Sequence, residues 1–320
     1  MTGENVHHFR RGIPNKFRNN FKSLISEKVK EVLTDGDFLF LNFESALAGS
    51  DELSELPIEE AVYVAPLETI ELLKSLDIPI VANVANNHFA QHGKAFTDFT
   101  VDQLQKNGIT VIGQNNEPVC LARNGIMFNI WGVSLVHDKS EPSLYFRSSY
   151  ENLISDLLLK EKEVNEIRIL SIHWGEEYHT MPSLKQKELA VALSNAGFDL
   201  ILGHHPHTIQ TAEKAGKTWV LYSHGNFIFD QNFSSLTQKG LISRTSLPDG
   251  ETELFITQQK HFKVVDLKQV TVDKLYKFCS DNHSGFNPLK MRVKMKTELV
   301  THFYELNMPI IKTFAGRLFS

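Results

Sequence analysis

Short apolar runs that end in polar side chains recur along the first two thirds of the chain. The runs are Asp37–Phe43, Ile78–Ala85, Ile109–Ile112, Arg168–Ile172 and Asp199–Leu202. Continuous runs of four to eight apolar residues are typical of strands that are buried on both faces. Helical spacing of apolar residues separates them, over Pro66–Leu76, Gly93–Asn107, Tyr150–Lys162 and Pro182–Asn195. This alternation predicts an α/β core with parallel strands.

Hairpins follow the parallel core. Asn124-Gly125 is a strong turn signal between two apolar segments. Further short strands are predicted at 208–212, 218–223 and 226–229, and a last hairpin joins 241–245 to 253–265. The parallel strands together with these hairpins predict two packed mixed sheets flanked by helices.

The two ends of the chain have helical patterns. Apolar residues from Val6 to Leu33 are spaced mostly by three or four positions, which predicts one amphipathic helix from about Asn15 to Leu33. We therefore divide the chain into an N-terminal helical segment (1–34), a main domain (35–268) and a C-terminal helical appendage (269–320).

Composition excludes several classes of protein. With 33 basic and 38 acidic residues the net charge is −5, so we expect no nucleic-acid partner. The only two cysteines, Cys120 and Cys279, are far apart, which argues against a disulfide framework and excludes a thiolate zinc site. No run of 18 apolar residues and no signal-peptide core occur. We expect no membrane span, and a cytoplasmic location for the chain as given.

The candidate chemistry lies where the predicted strands end. Three strands end in histidine, and a carboxylate and an amide stand at similar positions; the residues are Glu44, Asn87, His88, His173, His205 and His207. The carboxyl ends of parallel strands meet at one edge of a sheet, where ligands bind. Leaving a buried imidazole without a partner costs about 1–3 kcal/mol. Several of them at one edge therefore indicate a bound ligand, and the donor types indicate a metal ion.

Each motif also has a purely structural interpretation. The run Gly203-His204-His205-Pro206-His207 is also compatible with a surface turn rich in histidine. Glu44 can cap a helix or turn at Ser45, and Asn86-Asn87 can form an Asx turn. The recurrence of histidine at separate strand ends favours the metal hypothesis over these alternatives.

Five motifs resemble those of CapA-like proteins, which are named for capsule and poly-γ-glutamate synthesis. In order along the chain they are Asn42-Phe43-Glu44, Ala85-Asn86-Asn87-His88, His173-Trp174-Gly175 with Glu177-Tyr178, Pro182 and Gln186, Gly203-His204-His205-Pro206-His207, and Tyr222-Ser223-His224-Gly225-Asn226-Phe227. CapA-like proteins are in turn similar to calcineurin-like metallophosphoesterases. The resemblance covers roughly Phe38 to Asp230 and implies a four-layer αββα sandwich around two metal ions.

The resemblance also implies roles for these residues. Glu44 would be the bridging carboxylate, and Asn87, His173 and His205 would bind the second metal. His207 would bind the first metal, and His88 would be the catalytic imidazole that polarises the phosphate or protonates its leaving group. Two divalent cations can clamp a phosphate and lower the pKa of a bound water. Donors of these types suit manganese, zinc or iron.

The chain departs from the family in three places. The family opens with a core strand that ends in Gly-Asp and supplies a carboxylate to the first metal, and no such strand precedes Met1-Thr2-Gly3-Glu4. We therefore expect a longer natural chain, or an incomplete first site with one cation bound, unless Glu4, His7 or His8 substitutes. Gln91 stands where an acidic residue is frequent, and His224 where leucine is usual.

The leading hypothesis is a CapA-like phosphoesterase that acts in surface-polymer synthesis on a phosphorylated small molecule or polymer precursor. The second is a catalytically degenerate scaffold that binds polymer-synthesis proteins. A third is a single-zinc hydrolase with His173, His205 and His207 as ligands and Glu177 as base.

Overall fold

The structure is a computed structural model that describes Gly3, residues 12–18, 20–56, 62–136, Asp138, residues 144–283 and Val293. Its strands are β1 (Leu39–Asn42), β2 (Ala46–Ala48), β3 (Val64–Pro66), β4 (Ile80–Asn83), β5 (Thr110–Ile112), β6 (Val119–Arg123), β7 (Ile126–Ser134), β8 (Glu166–His173), β9 (Leu200–His204), β10 (Ala212–Ala215), β11 (Thr218–Leu221), β12 (Lys239–Ser246), β13 (Glu251–Lys260) and β14 (Lys263–Val270). Its α-helices are α1 (Ile13–Lys16), α2 (Glu27–Leu33), α3 (Ser50–Glu55), α4 (Glu68–Lys74), α5 (Lys94–Lys106), α6 (Leu153–Asp156), α7 (Leu184–Asn195) and α8 (Val272–His283), with a 3-10 helix at Phe21–Leu24.

The strands form two main sheets and two smaller ones. One main sheet has the order β1-β4-β5 and is parallel throughout. The other has the order β10-β11-β9-β8-β7-β6, with parallel central strands and an antiparallel strand at each edge. An antiparallel meander, β12-β13-β14, and a short β2-β3 pair complete the described sheets. The six-stranded sheet is therefore mixed, as the apolar pattern predicted, whereas the β1-β4-β5 sheet is parallel in the described residues.

Four layers stack through three apolar cores. The inner core lies between the sheets and joins residues such as Val81, Ile169 and Leu241 from β4, β8 and β12. On the outer face of the six-stranded sheet, α6 and α7 pack over β7, β8 and β9. On the outer face of the β1-β4-β5 sheet, α4 and α5 pack over β4 and β5. The α/β class and the αββα layering expected from the sequence are confirmed.

Local sequence explains where the central elements begin and end. All eight residues of β8 are buried, as expected for a strand covered on both faces, although Glu166, Arg168, Ser171 and His173 are polar. Ser183 begins α7 through a capping box, since its hydroxyl accepts from the Gln186 N–H and the Gln186 side chain accepts from the Ser183 N–H. Asn124-Gly125 forms the predicted hairpin between β6 and β7.

Two predicted helices were too long. The single helix expected over Asn15–Leu33 is wrong: the described residues form α1, a 3-10 helix and α2. Ile25 pairs with Val264 of β14, and Ser26 then precedes a new helix, so tertiary pairing interrupts the helical pattern. The helix predicted over Tyr150–Lys162 shortens to α6, with Leu158 in the left-handed region at φ 48°.

Three strand predictions also require correction. The strand predicted at 208–212 is displaced along the chain to β10, which begins only at Ala212. Residues 226–229 form no strand. The Asn226 side chain there hydrogen-bonds to His207 and to the Thr237 carbonyl oxygen. The segment 253–265 is two strands, since His261 and Phe262 turn the chain at φ 51° and 69°. In the predicted appendage, α8 is described, whereas residues 284–320 lie outside the described residues apart from Val293. The division into three segments stays a prediction.

A buried amide joins the two main sheets beneath their carboxyl ends. Asn83 of β4 donates through Nδ2 to Ser171 Oγ of β8 at 2.8 Å, and its Oδ1 accepts from the Ala85 N–H at 2.9 Å. Gly113 and Gly132 pack directly against this amide. A Cβ at Gly132 would lie 2.2 Å from Asn83 Oδ1, so only glycine fits there.

We predict that Gly132→Ala destabilises the fold by about 1–3 kcal/mol, because the added methyl would displace the amide that links the sheets. Gly36→Ala is the matched control, because a Cβ there meets no atom within 4 Å. Denaturant unfolding of both variants measures the difference. Equal stability of the two variants would contradict this account of the sheet contact.

Candidate metal centre

All six residues singled out from the sequence lie at the carboxyl ends of the two main sheets. Glu44 follows β1, and Asn87 and His88 follow β4 in the three-stranded sheet. His173 is the last residue of β8, and His205 and His207 follow β9 in the six-stranded sheet. Since the sheets pack face to face, their ends bring both sets of side chains to one place.

Glu44 is the centre of the cluster. Its Oε1 lies 3.7 Å from His173 Nε2, 3.9 Å from His207 Nε2 and 4.0 Å from His88 Nε2. These separations are too long for hydrogen bonds, and Oε1 is buried without a hydrogen-bond partner. Donor atoms of Glu44, His88 and His207 all lie within 4.8 Å of one another. Ligands about 2 Å from a shared cation are separated by roughly 3–4 Å, so the spacing fits a bound metal ion.

A second group of predicted ligands lies beside Glu44. Asn87 Oδ1 is 2.8 Å from His173 Nε2, and the ring centroids of His173 and His205 are 4.9 Å apart. The remaining ring nitrogens, Nδ1 of His173 and Nδ1 of His205, are buried without a partner. Such orphaned donors and acceptors are rare in native proteins and are frequent where a ligand or ion binds.

The histidine turn adopts a strained backbone. His205 and His207 have φ values of 101° and 55°, in a region that side chains other than glycine rarely adopt. The turn is therefore not the extended loop that simple alternation suggests. Gly203 allows the strand to approach β11, since a Cβ there would lie 2.0 Å from the Tyr222 carbonyl oxygen. Strain of this kind is typical of functional sites, where surrounding contacts hold the residue in place.

Neighbouring polar side chains orient the cluster. Asn42 Nδ2 donates to Glu44 Oε2 at 2.8 Å, and His207 Nδ1 donates to Asn226 Oδ1 at 2.9 Å. The second contact turns His207 Nε2 towards Glu44, as outer hydrogen bonds do around metal-binding histidines. Asn226 is therefore a neighbour that orients His207.

Asn86 and Gln91 hold the segment that carries His88. Asn86 Oδ1 accepts hydrogen bonds from the N–H groups of His88 and Phe89, which is an Asx turn. The side chain of Asn87 takes no part in this turn and lies in the cluster. Gln91 Oε1 lies 3.2 Å from His88 Nδ1. The neutral amide thus occupies the position where the family often has an acidic group.

Sequence reasoning missed the aromatic wall of the site. The ring of Tyr63 lies 4.0 Å from the ring of His88, and Phe229 lies 5.5 Å from His207. Neither aromatic residue follows a predicted strand end, so no local signal marks them. They keep the imidazoles away from bulk water and so strengthen electrostatic interactions in the cluster.

His204 and His224 do not belong to the cluster. Their rings stack on each other at 5.3 Å, and His224 contacts Ser243 Oγ and the Gly203 carbonyl oxygen. His204 therefore faces away from its neighbour His205, as the alternation of side chains predicted. The proposed substitutes for the first carboxylate, Glu4, His7 and His8, lie outside the described residues.

Burial controls the charge of the cluster. It raises the pKa of Glu44 to about 8. Burial also lowers the pKa values of His88 and His207 to about 4 and that of His205 to about 3, and holds the pKa of His173 well below its ordinary value. At neutral pH the site thus offers a protonated carboxyl group and uncharged imidazoles. Neutral imidazole is the form that binds metal ions.

No helix in the described part of the chain is both long and apolar enough to cross a membrane.

Comparison with known proteins gives one family and several relatives. A family model described as "Bacterial capsule synthesis protein PGA_cap" matches residues 2–231. The chain is 25% identical over 232 residues to "PGA biosynthesis protein CapA" of Bacillus subtilis (strain 168), covering 68% of this chain and 60% of that protein. It is 27% identical over 238 residues to "Capsule biosynthesis protein CapA" of Bacillus anthracis, covering 67% and 56%.

The chain therefore spans less than two thirds of the length of these curated relatives. Among solved structures, the crystal structure of TT1561 of Thermus thermophilus has a TM-score of 0.44 and 15% sequence identity, and the match covers 71% of this chain and 90% of that one.

We predict that the metal-free protein loses stability on acidification below pH 6.5. Six buried imidazoles have lowered pKa values, so the unfolded chain takes up protons between pH 6.5 and about 4 that the folded chain does not. They are the four of the cluster, His88, His173, His205 and His207, together with His204 and His224. Glu44 opposes this, since its raised pKa makes the folded state gain stability as pH falls from about 8 to 4.5. Six groups outweigh one, at ~1.4 kcal/mol per pH unit each.

Denaturant unfolding in a chelator at pH 7, 6 and 5 checks this expectation. The unfolding free energy should fall steadily, and His207→Gln should reduce its slope with pH. A flat profile, or one that rises on acidification, would show that the imidazoles are not held neutral by the fold.

Proposed function

The chain belongs to the family of bacterial capsule synthesis proteins described as PGA_cap, and from that premise we propose that it is a metal-dependent phosphoester hydrolase acting in surface-polymer synthesis. The observation that carries the proposal is Glu44 Oε1, which is buried, has no hydrogen-bond partner and faces three imidazole Nε2 atoms at 3.7–4.0 Å. Without a cation, this oxygen pays the cost of desolvation with no compensating bond.

The donor set supports one or two divalent cations held by protein side chains. Glu44 and His207 would hold one ion, and Glu44, Asn87, His173 and His205 would hold a second, because these residues form the two neighbouring groups described above. Imidazole, carboxylate and amide donors suit manganese, zinc or iron. When bound, such cations polarise a phosphoryl oxygen and lower the pKa of water.

His88 is suited to proton transfer. Its Nδ1 faces the Gln91 carbonyl oxygen and so carries the hydrogen, while Nε2 faces Asn87 Nδ2 at 3.3 Å and can accept one. His88 would take a proton at Nε2 and deliver it to the leaving oxygen of the phosphoester. The ring of Tyr63 packs against the His88 ring at a tilt of 44° and restricts its orientation.

The relatives' names support the biological setting. The family model matches residues 2–231, a range that includes every residue of the candidate site, and the two curated relatives are described as PGA and capsule biosynthesis proteins. We infer a phosphorylated small molecule or polymer precursor as substrate, and polymer-synthesis proteins as partners. The sequence also suggested an accessory role without catalysis. The following experiment distinguishes that role from the hydrolase.

We predict that the purified chain binds manganese or zinc and hydrolyses bis-p-nitrophenyl phosphate or p-nitrophenyl phosphate. His207→Ala and Asn87→Ala should lower metal content and reduce kcat/KM at least about a hundredfold, because each removes a ligand. His283→Ala is the matched control, since this exposed histidine lies at the end of α8. Metal binding without turnover in the unaltered chain would favour the accessory role, and absence of both would contradict the proposal.

A conservative change at His88 separates its two possible roles. As the proton-transfer group, His88→Asn should keep the metal content and lower kcat about a hundredfold. Loss of metal together with kcat would instead make His88 a ligand, consistent with its distance from Glu44. Elemental analysis beside steady-state kinetics measures both quantities.

We further predict that metal binding at pH 7 releases close to one proton. The pKa of Glu44 is raised to about 8 by burial, so its carboxyl group is protonated before the cation arrives and must lose that proton to bind it. The imidazoles release none, since their lowered pKa values keep them neutral.

Calorimetric titration with manganese in buffers of different ionisation enthalpy counts the released protons. Glu44→Gln should lower the number of released protons by about one at pH 7, because a proton lost by a metal-bound water is common to both proteins. Release that is unchanged in Glu44→Gln would assign the proton to another group.

A further inference from the structure

Tyr178 contacts the histidine turn from the loop that follows β8. Its backbone N–H donates to the Pro206 carbonyl oxygen at 2.7 Å. Its ring lies 6.2 Å from the ring of His207, and the Phe233 ring packs edge-on against it at 5.5 Å. The residue is buried, and its φ of 66° lies in the left-handed region, which residues other than glycine rarely adopt. The hydrolase proposed above assigns no role to this residue.

A network of side-chain hydrogen bonds joins His207 to Tyr178. His207 Nδ1 bonds to Asn226 Oδ1 at 2.9 Å, and Asn226 Nδ2 donates to Gln231 Oε1 at 3.2 Å. Gln231 Nε2 in turn donates to the Tyr178 phenol oxygen at 3.4 Å. All four side chains are buried, so bulk water does not compete for these bonds. Tyr178 is thus connected both to the backbone of the histidine turn and to the ring of His207.

The network ends at Glu177, which is exposed. The Tyr178 hydroxyl donates to the Glu177 carboxylate. Burial, followed by the charge of Glu177, raises the pKa of the phenol. The same charge acts on Glu44 and on Tyr63, so Glu177 lies beside the candidate centre. The network therefore runs from a solvent-facing carboxylate to a predicted metal ligand.

The carboxylate determines the direction of every bond in the network. An ionised carboxylate only accepts hydrogen bonds, so the Tyr178 hydroxyl donates to Glu177, and the phenol oxygen accepts from Gln231 Nε2. The Gln231 oxygen then faces Asn226 Nδ2, and the Asn226 oxygen faces His207 Nδ1. Since an amide oxygen only accepts, Nδ1 carries a hydrogen. Nε2 is then the nitrogen whose lone pair is available to a cation.

A second fixed acceptor shares the control of Asn226. Asn226 Nδ2 also donates to the Thr237 carbonyl oxygen at 2.9 Å, so each of its two hydrogens has an acceptor. Without the bond to Tyr178, the Gln231 amide would be free to flip and to turn Nε2 towards Asn226 Nδ2. Two donor groups would then face each other, and relief of that contact would move Asn226 away from His207. The Thr237 carbonyl group fixes Asn226, whereas Tyr178 fixes Gln231.

The position of Glu177 also bears on the single-zinc hydrolase, in which this residue would be the base. A general base has to lie within hydrogen-bond reach of the proton that it removes. The Glu177 carboxylate instead accepts from Tyr178, and the network reaches His207 at Nδ1, whereas Nε2 faces Glu44. Glu177 is therefore placed to act through other side chains.

We propose that Glu177 and Tyr178 are positioning residues for His207. Acting through Gln231 and Asn226, they hold its ring in the form that carries hydrogen on Nδ1 and leave Nε2 open to a cation. The consequence for metal affinity rests on the proposed function. The network itself is a property of the metal-free protein, so it is tested whether or not the chain is a hydrolase.

Nitrogen NMR of the full chain, free of metal at pH 7, tests the proposal directly. Proton–nitrogen correlation spectra of the imidazole rings show which ring nitrogen carries hydrogen, and loss of a signal in His207→Gln assigns it. We expect hydrogen on Nδ1 of His207 in the unaltered chain. Tyr178→Phe removes only the hydroxyl group, and it should raise the share of the form with hydrogen on Nε2. Glu177→Ala should do the same.

Calorimetric titration with manganese measures the consequence for metal affinity. Tyr178→Phe and Glu177→Ala should each raise the dissociation constant about tenfold, as loss of outer hydrogen bonds does at metal-binding histidines. Tyr276→Phe and Glu176→Ala are the matched controls, since both residues are exposed and lie outside the network. Both controls should stay within twofold of the unaltered chain.

Three results would overturn the proposal. An unchanged His207 form in both network variants would show that Asn226 and Thr237 alone orient the ring. Weaker metal binding in Tyr178→Phe with an unchanged form would reflect a general structural effect. Loss of turnover in Glu177→Ala with an unchanged form would make Glu177 the base.

The outcomes separate this proposal from the proposed function. Failure of the unaltered chain to bind metal or to hydrolyse phosphoesters would contradict the hydrolase, whereas the NMR comparison needs neither metal nor turnover. If Tyr178→Phe fails to fold, Glu177→Ala decides the question, because Glu177 is exposed.

Discussion

The structure depends on a buried carboxyl group that has no hydrogen-bond partner for one of its oxygens. Glu44 Oε1 lies among three imidazole nitrogens at distances that exclude hydrogen bonds, in a site where burial raises the pKa of the carboxyl group to about 8. Water and protein groups ordinarily satisfy such an atom. The fold instead holds it in place with Asn42, while Asn226 aims His207 at it. We propose a cation as the partner, since it would satisfy the carboxylate and the imidazoles at once.

The layered fold makes this arrangement possible. Glu44 and His88 follow strands of one sheet, while His173 and His207 follow strands of the other. Neither sheet alone supplies enough ligands, so the packing of the sheets, with Asn83 joined to Ser171 between them, determines the spacing of the donors.

How much could be predicted from sequence depended on the range of the interactions involved. Buried strands such as β4 are recognisable in the sequence as continuous apolar runs. The polar residues at their ends could be assigned to one edge because parallel strands share a direction. The N-terminal helix was predicted too long because Ile25 pairs with Val264, a contact that spans most of the chain. Tyr63 was missed for the same reason, since only the fold brings its ring against His88. Local periodicity cannot report contacts of this kind.

The central claim is that a cation lies between Glu44 and the histidines, and anomalous X-ray diffraction from crystals of the manganese-loaded chain tests it most directly. The account predicts an anomalous peak about 2.0–2.4 Å from Glu44 Oε1 and His207 Nε2. A second anomalous peak beside Asn87 and His205 would show that a second ion is bound. Manganese peaks located only elsewhere on the protein, with Glu44 still surrounded by unbridged imidazoles, would contradict the account.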